Sequence, residues 1–239
     1  MSGADAWSPE RYASFREERT QPFRDLLAGC IAIPGKRAVD LGCGTGDLTL
    51  HLHEATLAGS TLGVDRSASM LADAPKAEGL SFKTMDLERA RPDGAFDLVF
   101  SNACLQWLPD HEKLLARVAS WLAPGGQLAV QVPANHESPS HTIAAELAAE
   151  EFDTRPRIPH VLRPEAYAVI LDQLGLREVH VRLQVYLHHL PNREAVFDWV
   201  DGTLLNAYRA TVPDFEAFRT RYRERLLATL PDRRPYPFA

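Results

Sequence analysis

The run Ala38-Val39-Asp40-Leu41-Gly42-Cys43-Gly44-Thr45-Gly46-Asp47 brings a carboxylate, three glycines and a polar turn together at one point of the chain. The apolar residues around Asp40 read as a buried strand. The glycines read as a tight loop whose backbone can approach a ligand closely. A helix after Gly46 would turn its first N–H groups toward an anionic group. A pyrophosphate here would meet the Asp40 carboxylate with no cation beside it. The dinucleotide spacing G-x-G-x-x-G is also broken, because Asp47 stands where its last glycine belongs. A ligand that carries its own positive charge fits better. S-adenosylmethionine does so, with an ammonium, a sulfonium and a single carboxylate.

Two further acidic positions extend the pattern. Thr61-Leu62-Gly63-Val64-Asp65 is a short apolar strand ending in Asp65, 19 residues after Gly46. An acidic residue at about that distance is placed to bind ribose hydroxyls. Leu80-Ser81-Phe82-Lys83-Thr84 leads to Asp86 and Leu87, which are placed to read an adenine amino edge. Asn102 follows a fourth strand, within reach of the amino-acid end of such a ligand.

The elements that must position these residues alternate in type. Strands are expected at about 37–41, 61–65, 80–84, 96–100 and 127–132. Helices are expected after Gly46, from Ser67 and over about 110–122. This βαβα order implies a doubly wound, Rossmann-like, mostly parallel α/β sheet, with ligands at the carboxyl ends of its strands. A helical N-terminal segment is expected over about 8–32, entered at Ser8-Pro9 and interrupted near Pro22. Later helices are expected at about 140–152, 163–174, 193–204 and 214–229, with a sixth strand over Val179 to His188. The segment Arg234-Pro235-Tyr236-Pro237-Phe238-Ala239 is not expected to form a strand, because its prolines lack ladder donors.

Across roughly its first 140 residues the chain resembles class I S-adenosylmethionine-dependent methyltransferases, and among them the trans-aconitate methyltransferase family. The resemblance lies in Trp7-Ser8-Pro9-Glu10-Arg11-Tyr12 with Phe15, Arg19 and Pro22, in the glycine loop, and in Asp65-Arg66-Ser67-Ala68-Ser69-Met70-Leu71. It continues in Ser101-Asn102-Ala103-Cys104-Leu105-Gln106-Trp107-Leu108-Pro109-Asp110-His111, Leu122-Ala123-Pro124-Gly125-Gly126-Gln127-Leu128 and Gln131-Val132-Pro133-Ala134-Asn135. It implies S-adenosylmethionine as cofactor, a small-molecule carboxylate acceptor and a helical cap. The seventh strand that usually closes this fold is missing from the pattern. The implied organisation is an N-terminal segment 1–35 closing over the cofactor, a cofactor-binding core 36–133, and a part 134–239 holding the cap helices and strand six.

The implied cofactor residues are Trp7, Tyr12, Arg19, Asp40, Gly42, Gly44, Gly46, Asp65, Met70, Asp86, Leu87 and Asn102. Simple packing is the alternative for Trp7, Tyr12 and Met70. A carboxylate acceptor is already ionised near neutral pH, with a reference pKa of about 4, and needs no general base. A phenol or amine would need one, and His111, His136 and His160 are the candidates. Acceptor contacts are expected from Trp107, Arg155, Arg157, Tyr167, Trp199 and Arg209, with His160 and His188 as further cationic candidates. Where the family carries Gly-Leu-Arg-Pro, this chain has Leu204-Leu205-Asn206-Ala207, so Asn206 replaces an arginine. Methyl transfer to another metabolite, at a phenol, amine or ring carbon, remains open, as does a cofactor-binding module without turnover.

Composition narrows the field further. The 239 residues are 45% hydrophobic and 24% charged, with a net charge of −6. That argues against a nucleic-acid partner. The arginines between Arg219 and Arg234 interleave with Glu216 and Glu224 and read as a solvated helix face. Three cysteines, Cys30, Cys43 and Cys104, show no metal spacing and suggest reduced thiols in the cytoplasm. No metal, membrane span or signal peptide is expected.

Overall fold

The computed structural model describes residues 16–154, 160–209 and 211–238. The chain divides into two compact units, one of residues 19–133 and 160–182, the other taking in the described residues of 134–159 and 183–239.

The first unit is built on five strands: β1 Arg37–Leu41, β2 Ser60–Asp65, β3 Leu80–Thr84, β4 Phe96–Asn102 and β5 Leu122–Gln131. Their order is β3-β2-β1-β4-β5, and every neighbouring pair is parallel. The central strands are nearly continuous apolar runs, as burial on both faces requires. Alternate residues point to opposite faces. Ala38, Leu98 and Phe100 pack with Phe23 and Leu52, from helices α1 (Arg16–Ala28) and α2 (Asp47–Thr56). Val39, Leu41 and Val99 pack with Leu114 and Val118, from helix α3 (His111–Ala119). The chain runs outward from β1 through β2 to β3, then returns to place β4 on the other side of β1. The carboxyl ends of β1 and β4 therefore flank a topological switch point, the usual binding crevice of such sheets.

Three expectations are corrected here. Helix α1 runs through Pro22 without a break, the neighbouring Phe23 being only 1% exposed and fixed in the core. Residues from Ser67 onward form turns, not a helix. Ser67 Oγ accepts from the Met70 N–H at 3.2 Å, a local bond that competes with helix formation, and Pro75 disfavours helical backbone at Ala74. Residues 179–187 form no strand. Their period-2 pattern is real, yet Leu183, Val185 and Leu187 are 64%, 66% and 58% exposed and no neighbouring strand supplies a ladder. Helix α5 lies earlier in the same unit; α4 (Pro139–Glu151) precedes it in the chain and α5 itself spans Pro164–Gln173.

In the second unit α4 packs with α6 (Glu194–Asp201), the short α7 (Asn206–Arg209) and α8 (Phe215–Thr229). Tyr222 Oη on α8 donates to the Ser140 carbonyl at 2.9 Å, and Arg219 grips the buried Asp201 carboxylate through Nε at 2.7 Å and Nη2 at 2.9 Å. Strand β6 (His188–Leu190) pairs antiparallel with β7 (Tyr236–Phe238). The tail thus does form a strand, contrary to expectation: Pro237 sits opposite His189 in a two-stranded ribbon, where every strand is an edge and a missing donor is tolerated.

Candidate cofactor site

The site begins where β1 ends. Gly42, Gly44 and Gly46 all have positive φ, at 77°, 56° and 82°. A Cβ on Gly42 would lie 2.3 Å from both Cβ and Sγ of Cys104, so this glycine also answers a packing demand from the segment after β4. Gly42 N and Cys43 N donate to the Val64 carbonyl at 2.7 and 3.0 Å, binding the loop to β2. Gly46 caps α2 with no side-chain bond to its first N–H groups.

Asp65, the last residue of β2, is wired to this loop. Its Oδ2 accepts from Gly44 N at 2.9 Å and its Oδ1 from Ser67 N at 2.9 Å. Each oxygen keeps a second lone pair for a ligand hydroxyl. A Cβ on Gly44 would meet the Met70 methyl carbon at 3.5 Å, so Met70 covers the loop from the turn after β2.

Asp40 lies beneath the loop, 4% exposed, and its Oδ2 accepts from Thr49 Oγ1 at 2.7 Å. Burial pushes its carboxyl up to about 7; the Thr49 bond opposes that shift and the nearby Asp65 charge adds to it. Cys43 and Cys104 are pushed up as well, chiefly by burial and then by the two aspartates, Cys104 to about 12. Thiols held protonated in this way are poor nucleophiles.

Across the switch point, Ala103 adopts the left-handed conformation, φ 52°, which an alanine rarely takes. Its N–H donates to the Gln131 carbonyl at 3.0 Å and to Gln131 Oε1 at 3.1 Å. Asn102 Oδ1 and Gln106 Oε1 are buried acceptors without a partner among the described residues. Such orphans at a strand end are where a donor-rich ligand group would be received.

Asp86 is exposed after β3; its Oδ1 accepts from Glu88 N at 3.0 Å, and its Oδ2 stands 3.6 Å from Arg89 Nε. The Leu87 side chain is buried in the core on the α3 face. His111 has both ring nitrogens engaged: Nδ1 with Tyr167 Oη, and Nε2 with the Leu105 carbonyl at 3.1 Å. Tyr167 Oη also accepts from Leu162 N at 3.1 Å. Burial lowers the His111 pKa and raises that of Tyr167. The proton therefore sits on Tyr167 Oη and on His111 Nε2, and this pair fixes the short 3-10 turn Leu105–Trp107. His160 is close enough to lower His111 further.

In the other unit, Trp199 lies between His188 and Phe238, with ring centroids 5.1 and 5.6 Å away. The Arg209 guanidinium covers the Phe215 ring at 4.3 Å. Asn206 Nδ2 donates to the Gly202 carbonyl at 3.0 Å. Trp7, Tyr12, the Arg19 side chain, Arg155 and Arg157 lie outside the described residues.

Structure thus gathers Asp40, the three glycines, Asp65, Met70 and Asn102 at one end of the sheet. Sequence reasoning gave no role to Thr49 or Gln106, read Ser67 as a helix start, and considered Cys104 only as a nucleophile. Thr49 alone left a trace, as a hydroxyl one turn into the helix that follows the loop. Among the described residues no group of His, Cys, Asp or Glu is arranged to hold a metal, and no helix is long and apolar enough to cross a membrane.

This parallel sheet, with its glycine loop and acid-ended strands, defines a methyltransferase domain, and the family model of that description matches residues 12–181. The trans-aconitate 2-methyltransferase of Deinococcus radiodurans is 41% identical over 96% of this chain and 93% of its own length. That of Klebsiella pneumoniae is 39% identical over 94% and 90%. The chain belongs to this family of S-adenosylmethionine-dependent methyltransferases. A Haloferax volcanii methyltransferase, solved with a methyltransferase activator, shares the fold with a TM-score of 0.55 at 22% identity, over 70% of this chain and 73% of that one. The donor set fits the family cofactor, since carboxylates and an orphaned amide oxygen suit an ammonium and ribose hydroxyls.

Proposed function

We propose that this chain methylates a carboxylate of a small polycarboxylic acceptor of the trans-aconitate type. The observation that carries this reading is the doubly anchored Asp65 carboxylate beside the glycine loop, in a chain whose relatives are trans-aconitate 2-methyltransferases. When bound, the cofactor supplies an electrophilic methyl on a positively charged sulfur, which a carboxylate oxygen accepts in line. The protein's task is then alignment and exclusion of water.

Asp65 would hold the ribose, and Asp40 and Asn102 the amino-acid end. The backbone of Gly42, Gly44 and Gly46 would allow close approach. Met70 would pack on the adenine, with Asp86 and Leu87 at its amino edge. We assign 1–35 to closing over the cofactor, 36–133 to binding it, and the cap helices within 134–239 to the acceptor, for which Trp107, Tyr167, Trp199, Arg209, Arg155 and Arg157 are candidate contacts. The engagement of both His111 nitrogens supports an acceptor that needs no base. The free thiols support a cytoplasmic location.

A second reading, another carboxylate or a different metabolite, is favoured by Asn206, which offers no cation where the family pattern has arginine. The test is to incubate the protein with S-adenosylmethionine and a panel of trans-aconitate, other di- and tricarboxylates, acyl carboxylates and phenols. S-adenosylhomocysteine and methylated product are read by mass spectrometry. A trans-aconitate methyl ester is the expected product. Turnover with phenols alone would overturn the carboxylate assignment.

A further inference from the structure

Thr49 occupies the first turn of α2, and Asp40 the end of β1, nine residues earlier on the other side of the glycine loop. Helical side chains lean toward the N-terminus of their helix. A hydroxyl in the first turn has no helical carbonyl beneath it and is free to reach back across the loop. Thr56, later in the same helix, shows the usual alternative: its hydroxyl donates to the Leu52 carbonyl at 2.7 Å. Thr49 instead donates to Asp40 at 2.7 Å, with Thr49 0% and Asp40 4% exposed. Shielded from water, a hydroxyl-to-carboxylate bond is among the stronger kinds and favours the ionised acceptor.

We propose that Thr49 is a positioning residue of the cofactor site, holding Asp40 in the orientation and charge state that a cationic ligand group requires. The inference rests on the cofactor reading above and adds a pH dependence to it. Among the described residues, the charged and titratable groups facing Asp40 are Asp65 at the end of β2, Cys43 in the loop and Cys104 after β4. Asp65 disfavours charge on Asp40, and both thiols stay protonated near neutrality. Among the described side chains acting on Asp40, Thr49 is therefore the one that favours its charge. A ligand ammonium prefers the ionised form, so its binding weakens as pH falls through the Asp40 transition. Loss of the Thr49 hydroxyl moves that transition to higher pH.

The experiment is calorimetric binding of S-adenosylhomocysteine from pH 5.5 to 8.5 to the wild type, Thr49→Val and Thr49→Ser. The wild type is expected to lose affinity on the acid side of neutrality. Thr49→Val is expected to shift that limb upward by about one pH unit, and Thr49→Ser to restore it. Parallel curves for all three proteins would overturn the inference while leaving the cofactor reading intact. Failure of the wild type to bind at any pH would overturn both. Should Thr49→Val not fold, the Asp40 carboxyl carbon is titrated by 13C NMR in the wild type and Thr49→Ser. A midpoint in the ordinary carboxylate range would refute the proposal.

Discussion

Asp65 Oδ2 accepts a hydrogen bond from Gly44 N at 2.9 Å, so the acid at the end of β2 is also a brace for the loop that follows β1. Binding residue and scaffold are the same side chain. Asp65→Ala is therefore expected to act twice, by removing a ligand acceptor and by releasing the loop. Loss of a charged hydrogen-bond partner is worth roughly 1.5–3 kcal/mol, about 10- to 150-fold in affinity. Calorimetry with S-adenosylhomocysteine reads this directly, and unchanged affinity would refute the assigned role.

Gly42→Ala meets two obstacles at once, a φ of 77° and a Cβ 2.3 Å from Cys104. Overpacking alone costs about 1–3 kcal/mol. The urea midpoint should fall, and Cys104→Gly in the same chain should recover part of the loss. A variant as stable as the wild type would show that the two segments separate without cost.

His141 gives stability an acid-side slope. Burial, with a smaller contribution from His136, lowers its pKa to about 4, against an ordinary value of 6.5. The unfolded chain binds the proton more readily, so this contribution is present above about 6.5 and is lost as pH falls toward 4. The slope attributable to one such group is at most about 1.4 kcal/mol per pH unit. Unfolding of wild type and His141→Gln is compared from pH 7 to 4, and the variant should show the shallower decline.

Arg219→Ala removes a two-pronged guanidinium contact from the Asp201 carboxylate, which is 9% exposed at its side chain while Arg219 is 34% exposed. Breaking a fully buried pair costs about 3–5 kcal/mol, and the solvent around Arg219 reduces this to about 1–3. Chemical denaturation should detect it. Asp201→Asn with Arg219→Ala should recover part of the loss, since the buried negative charge is removed with its cation.

How far the sequence could be read depended on whether a feature was local. The glycine loop and the acid-ended strands announced themselves because their chemistry is packed into a few consecutive residues. β1 and β3 fall where periodicity and punctuation put them. The segment 179–187 misled because alternation reports a strand's two faces but says nothing of a neighbour to pair with. Ser67 misled because a serine that can cap a helix can equally close a turn on Met70. The Thr49–Asp40 bond and the His111–Tyr167 pair, the latter 56 residues apart, depend on how separate elements meet, which no local pattern encodes.

The buried Asp40 sets the needs of the ligand against those of the fold. Its carboxyl takes a proton more readily in the folded chain, up to about 7, than the ordinary value of 3.8, so the charge it must carry to receive a cation weakens the fold as pH rises from about 4 to 7. A bound ammonium offsets that cost. Filling the site should therefore relieve a tension that the unliganded fold carries toward alkaline pH, and the protein should resist proteolysis longer with ligand than without it.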